Sequence, residues 1–210
     1  MKKTLAIAIM LVMVLLLLTA CNNGDAAGAT PPASADKPEA SDAPIELGKL
    51  AIVVVGEALT LPMSVEDFVA LGWEPIDEKT AEKLEKTLGP REFTYFTFKK
   101  GDYYEQPFIA NLSGSETITV NQGTIVGLND IRSDEGLELP NGIVQGVSTR
   151  GDVIAAYGEP DEVDSWGKWI EYNMEGMAVN MVVGQAETDV IGLVKIELVD
   201  MRDRLTQAHF

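Results

Sequence analysis

The sequence predicts an α+β fold of two tandem repeats, each a short helix (or helices) followed by an antiparallel β-meander, the sheets joined or side by side. Three observations predict it. Short cappable helices recur at corresponding places, an aromatic hairpin follows each, and residues 124–131 and 189–196 share Gly-Leu and a final Ile in register.

An apolar run at 50–55 predicts a strand ahead of the first helix. That helix is marked by Pro62, by Ser64 as N-cap with Asp67 three residues on, and by Val65, Phe68, Val69 and Leu71 as its apolar face, with Gly72 as its stop. A further helix is expected over 77–88, with Ala81, Leu84 and Leu88 turned inward and Glu82 and Lys86 paired outside. In the second repeat Thr149 and Asp152 form the cap, Val153, Ile154 and Tyr157 the apolar face, and Gly158 with Pro160 the stop. The strand over 93–98 turns at Lys100 and Gly101, and that over 168–174 turns at Glu175 and Gly176. Met177, Val179, Met181 and Val183 then alternate with smaller or polar residues, the period of a half-buried strand. Gly127 and Gly192 mark bulges or tight backbone approach.

Ahead of this region the chain reads as a secretion signal. Lys2 and Lys3 precede an apolar run from Leu5 to Leu18, and small residues stand just before Cys21. That run is shorter than the roughly 20 residues a membrane-spanning helix needs. Leu18, Thr19, Ala20 and Cys21 resemble the lipobox of bacterial lipoproteins. The resemblance implies cleavage after residue 20 and a diacylglyceryl thioether on Cys21, the sole cysteine. Two acyl chains suffice for stable anchoring. Residues 21–44 are then a tether of Ala, Pro, Gly, Ser and Asp, too poor in apolar surface to repay ordering. The expected organisation is a signal peptide at 1–20, the tether at 21–44, a first repeat at 45–135 and a second at 136–210.

Composition excludes several functions. With 33 Asp and Glu against 16 Lys and Arg, a net charge of −17, the chain repels phosphate backbones, so no nucleic-acid partner is expected. Its only histidine, His209, lies beside the C-terminus, and lipidation would consume the only thiol. Histidine-dependent triads and zinc sites therefore drop out. No catalytic residue, metal ligand or cofactor is expected.

Gly146, Val147, Ser148 and Thr149, then Val153, then Tyr157, Gly158, Glu159 and Pro160, then Trp169, Ile170, Glu171 and Tyr172 resemble a pattern of bacterial envelope lipoproteins. It runs Gly-x-Thr/Ser, short helix, Leu/Tyr-Gly-x-Pro, aromatic strand, as in the SmpA/OmlA small-lipoprotein group and the β-lactamase-inhibitor-protein-like fold. It covers 142–198 well and 61–132 loosely. The resemblance implies a non-enzymatic domain that binds other proteins, often across the open face of a sheet.

Alternation cannot bury every hairpin aromatic. Tyr95, Tyr103, Tyr104, Trp166 and Trp169 are the candidate binding residues, because exposed Tyr and Trp are frequent interface anchors. Trp169 and Tyr95 are expected on the open sheet face, at matching places in the two repeats. Two acidic loops, Asp130, Asp134, Glu135 and Glu138, and Asp161, Glu162 and Asp164, lack EF-hand spacing and read as solvated turns. Ser148 and Thr149 read as a cap, and 113–115 as a turn.

The expected function is a non-enzymatic protein-interaction module of the bacterial envelope, lipid-anchored to the cell membrane outside the cytoplasm, its partner an envelope protein. The alternatives are a binder of a small solute or cation and a carboxylate-based cell-wall hydrolase. Cys21→Ser should abolish metabolic labelling by an alkyne fatty acid; equal labelling of both forms would contradict lipidation.

Overall fold

In the computed structural model, which describes residues 43–132, 136–183, 190–198 and 201–210, the apolar alternation at 50–54 becomes strand β1, Leu50–Val54, with Leu50, Ile52 and Val54 buried. Val55 and Gly56, both at positive φ, turn the chain into β2, Glu57–Leu61. This second strand was not expected from the sequence. On its other side β1 pairs with Glu138–Leu139, which pairs with Ile143–Val144, completing a four-stranded sheet. Val53 lies opposite Glu138, so the sheet joins segments assigned to different repeats.

The remaining strands of three or more residues are β3 (Glu92–Tyr95), β4 (Phe98–Lys100), β5 (Tyr103–Ala110), β6 (Thr124–Arg132), β7 (Trp169–Met174), β8 (Met177–Val183) and β9 (Ile191–Leu198). All but β4 follow one another in a continuous antiparallel sheet in the order β7, β8, β9, β6, β5, β3, and β4 pairs with β5 off this row. Glu162–Val163 closes the β7 edge, and Thr206–Gln207 runs parallel to β3 at the other. The β4–β5 hairpin turns at Gly101, and β7 meets β8 through Glu175 and Gly176, with Met174 opposite Met177.

The α+β architecture of two helix-plus-meander repeats is therefore corrected: the described chain is mostly β, with large antiparallel sheets. The helices are too short to form a layer. Helices α1 (Val65–Ala70), α2 (Glu78–Lys83), α3 (Arg150–Tyr157) and α4 (Met201–Arg204) have six, six, eight and four residues. At about 1.5 Å per residue none exceeds roughly 12 Å. The caps match the sequence reading: Ser64 Oγ accepts from Asp67 N at 2.9 Å, and Thr149 and Asp152 form a reciprocal box. The helix over 77–88 is also corrected. It stops at Lys83, Ala81 is exposed, and Leu88 is buried as part of the strand Thr87–Leu88, paired with Ile118–Thr119.

The two matching segments lie side by side at the centre of the sheet, as β6 and β9. Leu128 faces Ile196, and the register shifts by a bulge before Ile131 meets Val194. At Gly127 a Cβ would stand 2.1 Å from the Ile196 carbonyl oxygen, so the strands approach only because no side chain intervenes. Buried Gln145 spans the seam, its Nε2 donating to Ile131 O at 2.6 Å and Gly192 O at 2.7 Å.

The larger core packs on one face of this sheet, where Phe68 stacks on Trp73 at 5.1 Å and meets Phe98 edge-on at 5.5 Å. A smaller cluster of Phe93, Phe108, Val126 and Leu198 is covered by Met201, Leu205 and Ile45. Helix α3 is tied down by two tyrosines. Tyr157 donates to Pro140 O, and Tyr172 to Gly158 O at 2.8 Å. Burial, with neighbouring Tyr172, pushes the Tyr157 hydroxyl up to about 12.

Two glycines give opposite expectations. Gly127→Ala forces the seam apart and should cost about 1–3 kcal/mol or more. Gly151→Ala, where a Cβ meets nothing closer than 3.6 Å, should stabilise by about 0.4–1 kcal/mol. Denaturant unfolding of both variants checks the pair; a neutral Gly127→Ala would contradict the close approach.

Candidate functional site

Ile170, Tyr172, Val179, Met181, Val194 and Ile196 point into the larger core, so their alternates on β7–β9 face the other way. Strand register lays these alternates out in rows. Trp169, Val182 and Leu193 form one, Glu171, Asn180 and Lys195 the next, and Asn173, Ala178 and Glu197 the third. The middle of this face is polar. Lys195 Nζ bridges Glu197 Oε2 at 2.9 Å and lies 5.4 Å from the centre of the Phe108 ring. Asn129 donates to Gln106 at 3.3 Å. Beside α4 and the C-terminal strand the face sinks into a groove of about 550 Å³, with Tyr95, Asn129, Lys195, Glu197 and Gln207 in its walls.

All five candidate binding aromatics are exposed, and they occupy three separate places. Tyr95, 41% exposed, stands at the groove with Phe108 5.9 Å away. Tyr103 and Tyr104 begin β5, opposite Lys100 and Lys99. Trp166 and Trp169 flank the far margin, on the hairpin between Glu162–Val163 and β7. Trp169 and Tyr95 share the outward face. They are not neighbours, since five strand spacings separate β7 from β3, roughly 24 Å. Tyr103 and Tyr104 share β5, and the two tryptophans share the hairpin at the far margin.

That hairpin is fixed by its own polar groups. Asp164 Oδ1 accepts from Lys168 N at 2.6 Å and Trp169 N at 2.9 Å, and Gly167 N donates to Asp164 O at 2.9 Å. Gly167 takes φ +68°, and Arg150 Nη1 donates to its carbonyl at 3.1 Å. The backbone amide of Trp169, then those of Lys168 and Trp166, hold the Asp164 carboxyl below the usual range. Asp161 Oδ2 accepts from Asn173 N at 2.7 Å. So braced, the turn presents Trp166 82% exposed and Trp169 39% exposed, with Val163 exposed beside them. Sequence reasoning found the tryptophans and missed their bracing by Asp164 and Arg150. Asp164 three residues before Gly167 is a turn signature that could have shown it.

Between Glu162–Val163 and β7 lies a pocket of about 240 Å³ walled by Val163, Trp169, Glu162, Glu171 and Asn180. Glu162 and Glu171 are direct cross-strand partners, a like-charge pairing that costs stability. Burial, then the charge of Glu162, pushes the Glu171 carboxyl up, with Glu197 and Asp161 adding to it and a hydrogen bond to Asn180 opposing it.

No family model, no curated protein and no solved structure matches the chain. Its own geometry is therefore what bears on function. Among the described residues no group of three His, Cys, Asp or Glu side chains could hold a metal ion. Asp134, Glu135 and Cys21, the residue expected to carry lipid, lie outside the described residues. Ser148 is buried with its Oγ accepting from Val144 N, and Ser113 Oγ accepts from Ser115 N and Glu116 N, so both hydroxyls serve local turns. Among the described residues no helix is long and apolar enough to cross a membrane.

Glu171 gives a pH signature with a fixed sign. Its raised folded-state pKa means that its charged form weakens the fold at neutral pH; below the ordinary 4.5 the carboxyl is protonated folded or unfolded, and the penalty is gone. Glu171→Gln should thus raise the melting temperature slightly at about pH 7, and the gain should shrink as the pH falls through the raised pKa. A gain that grows in acid would contradict the assigned environment.

Proposed function

We propose that the chain is a lipid-anchored, extracytoplasmic envelope protein whose β domain is a non-enzymatic protein-binding module acting through the Trp166–Trp169 hairpin. The carrying observation is Trp166 held almost fully exposed at the tip of a braced turn. Leaving so large an apolar ring in water forgoes the gain of burial, while bracing the turn removes the ordering cost a partner would otherwise meet. Preorganised Tyr and Trp anchors are the residues that dominate binding energy at interfaces. The lipobox at Cys21 and the envelope-lipoprotein resemblance over 142–198 support the location and class.

A second reading has its own observation. Two facing carboxylates in a concavity, one with a raised pKa, are also the apparatus of glycoside hydrolysis. The volume argues against it: about 240 Å³ falls below the roughly 300 Å³ at which small-molecule sites begin. A polymer needs room for sugars on both sides of the bond it loses.

Trp166→Ala should leave the melting temperature within a few degrees, since the ring packs on little, and should weaken capture of the partner in intact cells by on the order of 2 kcal/mol. Trp169→Ala should behave likewise with a larger stability cost, because its ring walls the pocket. Normal partner capture by both variants would contradict the reading.

A further inference from the structure

We infer that the Trp166–Trp169 hairpin docks a basic, extended segment of the partner protein, with one arginine or lysine side chain entering the pocket beside Trp169. This rests on the protein-binding reading and adds the partner's chemistry to it. The apolar contribution comes from Trp166 and Trp169, exposed together on one braced element. The charge comes from Glu162 and Glu171, which the register of Glu162–Val163 on β7 holds directly opposite each other across the pocket.

An uncompensated like-charge pair weakens a sheet edge, and a cation between the two carboxylates would turn the repulsion into two attractions. The described chain does not supply that cation. Lys195, two strands along the same row, is engaged by Glu197 at 2.9 Å, and among the described residues the charges that act on Glu171 are those of Glu162, Glu197 and Asp161. The volume suits one long side chain. The Trp169 ring offers a face to a guanidinium or ammonium group, and a guanidinium, planar and two-pronged, fits a ring on one side and carboxylates on the other better than an ammonium does. The net charge of −17 extends the complementarity over the rest of the surface and repels anionic lipid and nucleic acid, leaving a basic polypeptide as the occupant.

The test uses the full-length chain in detergent and two eight-residue, end-capped peptides, one alternating arginine with threonine and one alternating citrulline with threonine. Calorimetry should show the arginine peptide binding about tenfold or more tightly than its neutral isostere. Glu162→Gln with Glu171→Gln should cost about tenfold or more, while Glu46→Gln with Glu116→Gln, which removes the same charge elsewhere, should cost less than about threefold. Trp169→Phe should retain more binding than Trp169→Ala. Equal losses in the two double variants, or equal binding of the two peptides, would overturn the inference, because net charge alone would then account for the interaction. A photo-cross-linker at position 166 in living cells separates this inference from the reading beneath it. Loss of the cross-linked product on Glu162→Gln with Glu171→Gln supports a basic partner, and its persistence overturns the inference while leaving protein binding intact. No product from either form overturns both, as does cell-wall hydrolysis abolished by Glu171→Gln.

Discussion

Where β6 meets β9 the chain has no room for a side chain. The Gly127 backbone lies against the Ile196 carbonyl at a distance that excludes even a methyl group, and the buried Gln145 amide reaches carbonyls on both sides of the seam. This approach turns two meanders into one sheet. It sets the bulge between Leu128 and Ile131, and so which side chains of β9 point into the larger core and which point out.

The two faces of the sheet follow from that. One face carries Leu128, Ile131, Val179, Met181, Val194 and Ile196 into a core shared with Phe68, Trp73 and Phe98. Among the described residues the other is covered near β3, where Met201, Leu205 and Ile45 shield Phe93 and Phe108. Farther from that cover the outward positions turn polar, with Asn180, Lys195 and Glu197 in place of apolar residues. Antiparallel sheets solvated on one face show this division. Aromatics reappear at the far margin, on the hairpin that Asp164 and Arg150 brace. An apolar group left exposed on a rigid element, beyond a polar field, is the arrangement of an interface anchor.

The sequence carried local features well and long-range pairing poorly. The caps at Ser64 and Thr149, the turns at Gly101 and Gly176, and the constraint at Gly127 were legible because each is decided by a few adjacent residues. The matching residues of 124–131 and 189–196 suggested two units repeated in tandem, yet they pair with each other across one seam; similarity does not say whether like segments sit apart or together. The β1–β2 hairpin was hidden because Val55, at φ +53°, is a turn residue of a type that rarely adopts that conformation. Helix α2 was overestimated because Leu84 and Leu88 fit a helical period, while Leu88 is buried in a short strand that pairs with Ile118. At the site, exposure of Tyr95 and Trp169 followed from alternation; consecutive Tyr103 and Tyr104, both exposed at the start of β5, and Trp166, in a turn, do not follow from it. The pocket did not, since it needs Glu162 and Glu171 opposite each other, a fact of register.

The central claim is that the two meanders form one cooperative sheet through the β6–β9 seam. Native-state hydrogen exchange of the full chain, followed by mass spectrometry across a denaturant series, tests it most directly. Amides of β6 and β9 should exchange last, and at a single free energy equal to that of global unfolding. Two distinct free energies for the two meanders, with seam amides exchanging early, would contradict it.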